Sequence, residues 1–139
     1  MRLEILERSD NLGPATALTP KERSILIELA RIGKNDVFYD LGSGHGHLVV
    51  DVVRKTRAKR VVGIEVNYNR FCRSVRLAQR SLSKHQLKRI DFYCANYDTI
   101  DFADATVIYE GPERESGEVE KFTEVLKCTK ARIRLSVQK

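Results

Sequence analysis

The 139-residue sequence has no tryptophan, only three prolines and three cysteines, and no apolar run of the roughly 18 residues that a membrane-spanning helix needs. Residues 1–7 alternate charged and aliphatic side chains and lack the apolar centre of a signal peptide. An odd number of cysteines without a secretion signal favours free thiols over a disulfide scaffold. We therefore expect a cytoplasmic chain without membrane contact, in which Cys72, Cys94 and Cys128 are small buried side chains.

The composition is typical of one globular domain, with 42% hydrophobic and 32% charged residues. A chain of this length buries roughly two thirds of its unfolded surface, which is enough for its own core. We expect a single domain over residues 1–139, with residues 1–18 as an irregular N-terminal extension. The formal net charge of +6 concerns partners rather than fold. It suits nucleic acid, a protein bound to nucleic acid or another anionic surface, and a basic surface without a specific partner is the alternative.

Strand and helix patterns alternate along the chain. Thr19 and Glu22 flank Pro20 in the spacing of a capping box, and apolar residues follow at helical spacing up to Gly33. Further helices are predicted from about residue 47, over residues 69–83 and around residues 119–126. The predicted strands are Val37–Leu41, Val61–Glu65, Ile90–Ala95, Thr106–Tyr109 and Arg132–Val137. This order predicts an α/β fold, a Rossmann-like sandwich with a mostly parallel sheet of about five strands.

Ligands of such folds bind beyond the carboxyl ends of the strands, and three signals lie there. The first is the run Asp40-Leu41-Gly42-Ser43-Gly44-His45-Gly46, directly after the first predicted strand. Its glycine spacing differs from that of a dinucleotide site, and Asp40 repels a pyrophosphate but suits an ammonium group, so a dehydrogenase is disfavoured. The second is Glu65, whose carboxylate can accept hydrogen bonds from a ribose diol. The third is Asn96-Tyr97, an amide for the edge of adenine and a ring to pack on it.

Together these runs resemble the class I S-adenosylmethionine methyltransferases, over most of the chain. Within that class the sequence is most similar to the small archaeal broad-specificity protein lysine methyltransferases and to the catalytic core of the disruptor-of-telomeric-silencing type of histone lysine methyltransferase. Leu18–Glu22, Asn96-Tyr97 and Ala105–Tyr109 carry the narrower resemblance. It implies S-adenosyl-L-methionine as cofactor. His45 and His47 have no third ligand at helical or loop spacing, so we expect no metal site. The cofactor-binding residues that the resemblance implies are Thr19, Asp40, Gly42, Ser43, Gly44, Gly46, His47, Glu65, Val66, Asn96 and Tyr97.

The chain departs from the histone enzymes in two places. Their Asn-Asn-Phe stretch after the fourth strand corresponds to Gly111-Pro112-Glu113 here, so that asparagine is missing. Only Gln138 and Lys139 follow Val137, so we expect the C-terminal strand hairpin of such folds to be lacking or shortened, in either a minimal five-stranded version or a truncated one. A minimal version would leave the last predicted strand as an open edge. An open edge favours pairing with another chain, so we expect that oligomers can form.

These observations predict a methyltransferase that acts on lysine amines of chromatin-type or other basic proteins. We assign Tyr109 and Glu110 to catalysis, since a carboxylate there can hold the substrate ammonium or assist its deprotonation. The alternative is that Tyr109 is packing and Glu110 a solvated acid. Two other functions stay open, an RNA methyltransferase of the same fold and a cofactor-binding module that is non-catalytic or needs a partner.

A basic stripe follows the long predicted helix at steps of three and four residues, made of Arg73, Arg76, Arg80 and Lys84. A second basic cluster covers residues 54–60. The functional interpretation is contact with nucleic acid phosphates, which adds association with chromatin to the expected location. The alternative is a solvated helix face.

Overall fold

The computed structural model describes residues 1–10, 17–110 and 133–136. Six strands form one sheet in the order β1-β4-β3-β2-β5-β6, and every neighbouring pair is parallel. The predicted α/β Rossmann-like class is confirmed. The strands are β1 (Arg2–Ile5), β2 (Val37–Leu41), β3 (Arg60–Ile64), β4 (Ile90–Cys94), β5 (Val107–Glu110) and β6 (Ile133–Ser136). The helices are α1 (Pro20–Ala30), α2 (His47–Lys55), α3 (Tyr68–Ser81) and α4 (Lys84–Leu87), and Tyr97–Thr99 forms a 3-10 turn.

The five predicted strands are all present, each within one residue at either end, and the sheet has one strand more. Residues 2–5 belong to the segment that the sequence analysis left irregular, and they form β1 along the free side of β4. Arg2 pairs with Asp91, and the Arg2 N–H donates to the Asp91 carboxylate (3.2 Å). The predicted helix around residues 119–126, the run Gly111-Pro112-Glu113 and Cys128 lie outside the described residues.

The two faces of the sheet have separate cores because side chains alternate along each strand. On the face we call the helix face, Phe38, Val61 and Phe92 pack under residues of α1, α2 and α3. On the opposite face, which we call the loop face, Tyr39, Val62 and Ile108 pack under side chains of residues 95–105. All five residues of β2 are buried, as predicted for a central strand.

Helix α1 begins as predicted but ends early. The Thr19 hydroxyl accepts from the Glu22 N–H (3.2 Å) and the Glu22 carboxylate accepts from the Thr19 N–H (3.0 Å), which completes the capping box. The helix ends at Ala30, three residues before the predicted stop at Gly33, and Arg31 follows it at φ 47°. None of the helices in the described ranges is long and apolar enough to cross a bilayer.

Candidate functional site

The glycine run forms the tight turn between β2 and α2. The N–H groups of Gly42 and Ser43 both donate to the Ile64 carbonyl at 2.9 Å, which fixes the turn against the end of β3. Gly42, Gly44 and Gly46 have φ values of 81°, 56° and 86°, which side-chain-bearing residues rarely adopt. The predicted need for glycine is therefore met at all three positions.

The second and third glycines of this turn face different surroundings. A Cβ atom on Gly46 would lie 2.9 Å from Cβ of Ser74, so this glycine lets α3 pack directly on the start of α2. A Cβ atom on Gly44 would meet no atom within 4 Å. Open space beside a bare backbone is the geometry that a ligand approaching the main chain requires.

Glu65 lies at the same edge of the sheet, as predicted, and its carboxylate braces the glycine turn. Its two oxygens accept from the Gly44 N–H (2.9 Å) and from the Asn67 N–H (3.0 Å), and the residue is buried. Because each carboxylate oxygen offers two acceptor positions, acceptor capacity remains for a ribose diol. The neighbouring Val66 directs its carbonyl toward the N–H of Ser9, so its main chain also ties the N-terminal segment to this edge.

Two buried oxygens of the turn have no hydrogen-bond partner in the described part of the chain, Asp40 Oδ1 and Ser43 Oγ. Asp40 is only 2% exposed. Burial, and to a lesser degree the Glu65 carboxylate, raises the pKa of Asp40 to about 8. A buried carboxyl oxygen without a donor is costly unless a ligand supplies one. The pair fits the cationic, hydrogen-bonding amino-acid end of S-adenosylmethionine.

Tyr97 and Asn96 follow β4 and reach the turn unequally. Cε1 of Tyr97 lies 3.9 Å from the position of a Cβ on Gly42, so the ring borders the glycine turn. Asn96 is exposed, and its side-chain oxygen accepts from the Asp98 N–H (3.0 Å) as the cap of the 3-10 turn. The Asn96 side-chain oxygen, which we predicted as an acceptor for adenine, therefore accepts within the 3-10 turn. The N–H₂ group of the Asn96 amide remains as a donor.

A largely buried ion pair between Arg23 and Asp51 holds the start of α1 against α2. Arg23 Nε lies 2.7 Å from Asp51 Oδ2, and Arg23 also donates to the Leu18 carbonyl (2.9 Å). These contacts tie the segment that carries the exposed Thr19 cap to α2, whose first residue is His47. Burial, with the Arg23 guanidinium second, lowers the pKa of His47, which favours a neutral imidazole able to accept a hydrogen bond.

The two predicted catalytic residues are adjacent in sequence but point to opposite faces of the sheet. Tyr109 pairs with Asp40 in register and belongs to the helix-face core. Burial, with the Asp40 carboxyl second, raises the pKa of Tyr109 to about 12, so this phenol is a neutral donor. Glu110 pairs with Leu41 and is buried, and the alternation of β5 places it on the loop face. The alternative of a solvated Glu110 is therefore wrong, because the residue is only 6% exposed.

Sequence analysis missed two residues that build the turn. The Ser74 hydroxyl lies 2.8 Å from the Gly44 carbonyl and is fully buried. Asn67 is also buried, and its side chain accepts from the Arg70 N–H (3.0 Å) as the cap of α3. The cap could have been found, since asparagine before a helical pattern is a favoured N-cap. Ser74 had a weaker signal, a small polar residue inside an amphipathic helix.

A cavity of about 350 Å³ lies elsewhere, on the loop face. Its lining includes Arg60, whose guanidinium contacts Asp91 (2.7 Å) and Asp104 (2.8 Å), and Tyr39, whose hydroxyl donates to Asp104 (2.7 Å). These polar groups pair with one another, and none of the predicted site residues lines this cavity. The glycine turn with its unpartnered oxygens is the better candidate site.

Comparisons with known proteins agree with this geometry. The family model described as histone methylation protein DOT1 matches residues 17–125. A curated protein-lysine N-methyltransferase of Saccharolobus islandicus is 29% identical over 84 residues, 60% of this chain and 50% of that protein, so the chain spans about half the length of this relative.

Solved structures share the fold. An RNA methyltransferase from Salinibacter ruber in complex with S-adenosyl-L-homocysteine has a TM-score of 0.70 at 25% identity, covering 80% of this chain and 69% of that one. A SAM-dependent methyltransferase from Geobacter sulfurreducens, also in complex with S-adenosyl-L-homocysteine, has a TM-score of 0.69 at 15% identity, covering 86% and 48%.

Proposed function

Because the chain belongs to the DOT1 family of histone methylation proteins, we propose that it transfers the methyl group of S-adenosyl-L-methionine to lysine amines of basic proteins, including chromatin-type proteins. The similarity to a curated protein-lysine N-methyltransferase supports the acceptor class. The observation that carries the proposal is the turn between β2 and α2. There a buried carboxyl oxygen and a buried hydroxyl have no hydrogen-bond partner among the described residues, and the space at Gly44 is open with respect to the same residues.

The proposed cofactor contacts follow from these placements. Asp40 holds the ammonium group, and Ser43 offers its hydroxyl to the carboxylate. Glu65 receives the ribose diol on the acceptor positions left by its two backbone contacts. Tyr97 packs on adenine beside the Asn96 amide donor. Thr19, His47 and Val66 border the proposed cofactor site. The bound cofactor supplies a methyl group already activated on a sulfonium, so the chain's task is to bind, align and exclude water.

We assign Tyr109 and Glu110 separate roles because they leave opposite faces of β5. Tyr109 positions the methyl-transfer centre from beside Asp40, as a neutral hydroxyl donor. Glu110 receives the substrate ammonium at the strand end and assists its deprotonation. The variants Tyr109→Phe and Glu110→Gln keep each shape and remove one function. We expect Glu110→Gln to lower kcat about 10²-fold or more with little change in the affinity for S-adenosylhomocysteine. Full activity in both variants would refute these roles.

The second candidate function is RNA methylation by the same site. It is favoured by the Salinibacter ruber neighbour, which is described as an RNA methyltransferase. Incubation with methyl-labelled cofactor, a basic DNA-binding protein and structured RNA separates the candidates. Label removed by protease supports the proposal, and label removed by ribonuclease supports RNA methylation. Binding of S-adenosylhomocysteine without any transfer supports a binding module that lacks catalysis or needs a partner.

Cofactor identity has its own test. S-adenosylhomocysteine at 100 times its dissociation constant should stabilise the fold by about 2.7 kcal/mol, and the unfolding temperature should rise by several degrees. NAD should have no effect, because its pyrophosphate would face the Asp40 carboxyl. A rise with NAD and none with S-adenosylhomocysteine would contradict the proposed site.

We further infer that nucleic acid contacts the exposed residues Arg73, Arg76, Arg80 and Lys84, and that the free side of β6 can pair with another chain. The exposure of these four side chains and the terminal place of β6 in the sheet order support both inferences. A location on chromatin in the cell would follow from the nucleic acid contact.

A further inference from the structure

The net positive charge of the chain is concentrated in one segment of the sequence. Residues 52–89 contain twelve lysines and arginines and a single acidic residue, Glu65. The remaining residues contain thirteen lysines and arginines against eighteen acidic residues. The basic net charge therefore arises from one contiguous segment, which runs from α2 through β3 and α3 to the start of β4.

Seven of the twelve cations are exposed and without an ion-pair partner among the described residues. They are Arg57, Lys59, Arg73, Arg76, Arg80, Lys84 and Lys88. The other five interact with the fold, for example Arg89, which donates to the carbonyls of Val53 (2.6 Å) and Ala58 (2.9 Å). Glu65 is buried and bound to the glycine turn. No acidic side chain within residues 52–89 thus reduces the field of the seven, which we call the basic surface.

The basic surface lies mainly at the amino ends of the strands, away from the glycine turn. Lys59 directly precedes β3, and Lys88 lies two residues before β4. Helix α3 runs back from the carboxyl end of β3, so Arg80, in its last turn, and Lys84 beyond it lie toward the amino edge. Five-residue strands separate the two edges by roughly 16 Å. A polymer held at Lys59, Lys84 and Lys88 is therefore remote from Asp40 and Tyr109.

The chemistry of the basic surface favours duplex backbone over single strands. Binding of single strands relies on exposed aromatic rings that stack on bases. In residues 52–89 the only Phe or Tyr side chains are Phe71, which is buried, and Tyr68, whose ring is covered by the Arg8 guanidinium at 4.0 Å. Cations without rings recognise phosphates and carry no base specificity.

We propose that the basic surface binds the phosphodiester backbone of double-stranded nucleic acid and thereby tethers the enzyme beside proteins on the same duplex, without the duplex being a methyl acceptor. This inference rests on the proposed function for its second half. A chain of net charge +6 repels a basic protein in free solution. A duplex that binds both neutralises this repulsion and raises their local concentration.

The binding half is tested with the intact chain and a fluorescently labelled DNA duplex by anisotropy over a salt series. The test variant is the triple change Lys59→Gln, Lys84→Gln and Lys88→Gln. The control variant removes the same charge from exposed residues near α1, by Lys21→Gln, Arg31→Gln and Lys34→Gln. We expect the test variant to lose at least about tenfold in affinity and to lower the slope of log K against log salt by about 2 to 3. The control should lose less than about threefold.

Equal losses in the two triple variants would overturn the proposal, since net charge alone would then explain binding. Tighter binding to a single strand than to the duplex would overturn the duplex assignment. Binding to anionic lipid vesicles but not to duplex would overturn the nucleic acid assignment.

The tethering half is tested by methylation of a basic DNA-binding protein with increasing duplex. We expect the rate to rise at least about fivefold and to fall again when excess duplex separates enzyme from substrate. All label should be in protein. The test variant should lose the stimulation and keep the duplex-free rate. Label in the duplex, or stimulation that persists in the test variant, would overturn the tethering half of the proposal. Absence of transfer under every condition would refute the proposed function and leave the binding result standing.

Discussion

Ionisation of Asp40 links cofactor binding to pH. The pKa of Asp40 in the ligand-free protein is raised to about 8 by burial and then by Glu65. If an ammonium group binds only the ionised carboxylate, affinity scales with the ionised fraction of Asp40. That fraction is about 24% near pH 7.5 and about 1% near pH 6. Binding of S-adenosylhomocysteine should therefore weaken about 24-fold between these two pH values, or by about 1.9 kcal/mol.

Titration calorimetry with wild type and Asp40→Asn measures this effect. The amino group of the free ligand titrates as well, but its titration is the same in both experiments. The ratio of the wild-type affinity to the variant affinity therefore reports the ionisation of Asp40 alone. We expect this ratio to change about 20-fold between about pH 6 and about pH 7.5. In buffers of different ionisation enthalpy, wild type near pH 6 should release close to one proton more per ligand than the variant. A pH-independent ratio would refute the assignment of Asp40 to the ammonium group.

Stability of the ligand-free protein should respond to the same group. The pKa of Asp40 in the folded chain lies above 3.8, the ordinary value of an aspartate, so the folded chain binds more protons than the unfolded chain between these values. The free energy of unfolding therefore falls as pH rises from about 4 to about 8, by at most about 6 kcal/mol. We expect Asp40→Asn to unfold at a higher temperature than ligand-free wild type near pH 8. An equal or lower unfolding temperature of Asp40→Asn would mean that a hydrogen-bond donor stabilises the Asp40 carboxylate in the ligand-free protein.

Three further predictions, which use five substitutions, test how the site is built. Gly46→Ala should destabilise the chain by about 2–5 kcal/mol, because the alanine must adopt a left-handed φ and its Cβ collides with Ser74. Gly44→Ala, which has only the unfavourable φ, should cost about 1–2 kcal/mol. Urea denaturation measures both losses, and equal losses would contradict the close contact between Gly46 and Ser74. Asp51→Ala should cost about 3–5 kcal/mol of unfolding free energy because it leaves the largely buried Arg23 unpaired. Arg54→Ala removes only the exposed partner of Asp51 and should cost less than about 1 kcal/mol. Ser74→Ala should leave the Gly44 carbonyl without its donor and cost about 1 kcal/mol of stability. Calorimetry should show S-adenosylhomocysteine binding about fivefold more weakly, and unchanged affinity would mean that Ser74 contributes packing only.

The glycine turn was predictable from sequence because its constraint is local. Three glycines at positions 42, 44 and 46 directly after a buried strand permit few backbone paths, and the structure has a positive φ at each. The α1 capping box was equally local, since Thr19 and Glu22 satisfy each other's backbone groups. The place of Glu65 followed from topology, because the carboxyl ends of parallel strands meet at one edge.

Features that depend on tertiary contacts were not predictable in the same way. The alternation of residues 2–5 fits a strand, but only pairing with β4 makes it one. Of the apolar residues of α1, Ile25 and Leu29 are exposed while Ile27 and Ala30 are buried, because the neighbouring α2 decides which side faces the core. The opposite directions of Tyr109 and Glu110 follow from strand alternation, once the strand is known to extend to residue 110.

Helix α3 connects the two surfaces that the proposed activity requires. Its first two turns hold the glycine turn, through the Asn67 cap beside Glu65 and the Ser74 hydroxyl on Gly44. Its outer face, and the segment that follows it, carry five of the seven cations of the basic surface, namely Arg73, Arg76, Arg80, Lys84 and Lys88. Because the contacts with the turn lie toward the start of the helix, neutralising Lys84 and Lys88 beyond its end removes no hydrogen bond of the cofactor site. Loss of duplex binding with retained affinity for S-adenosylhomocysteine is therefore the result that this helix predicts, and simultaneous loss of both would show that its two faces cannot be separated.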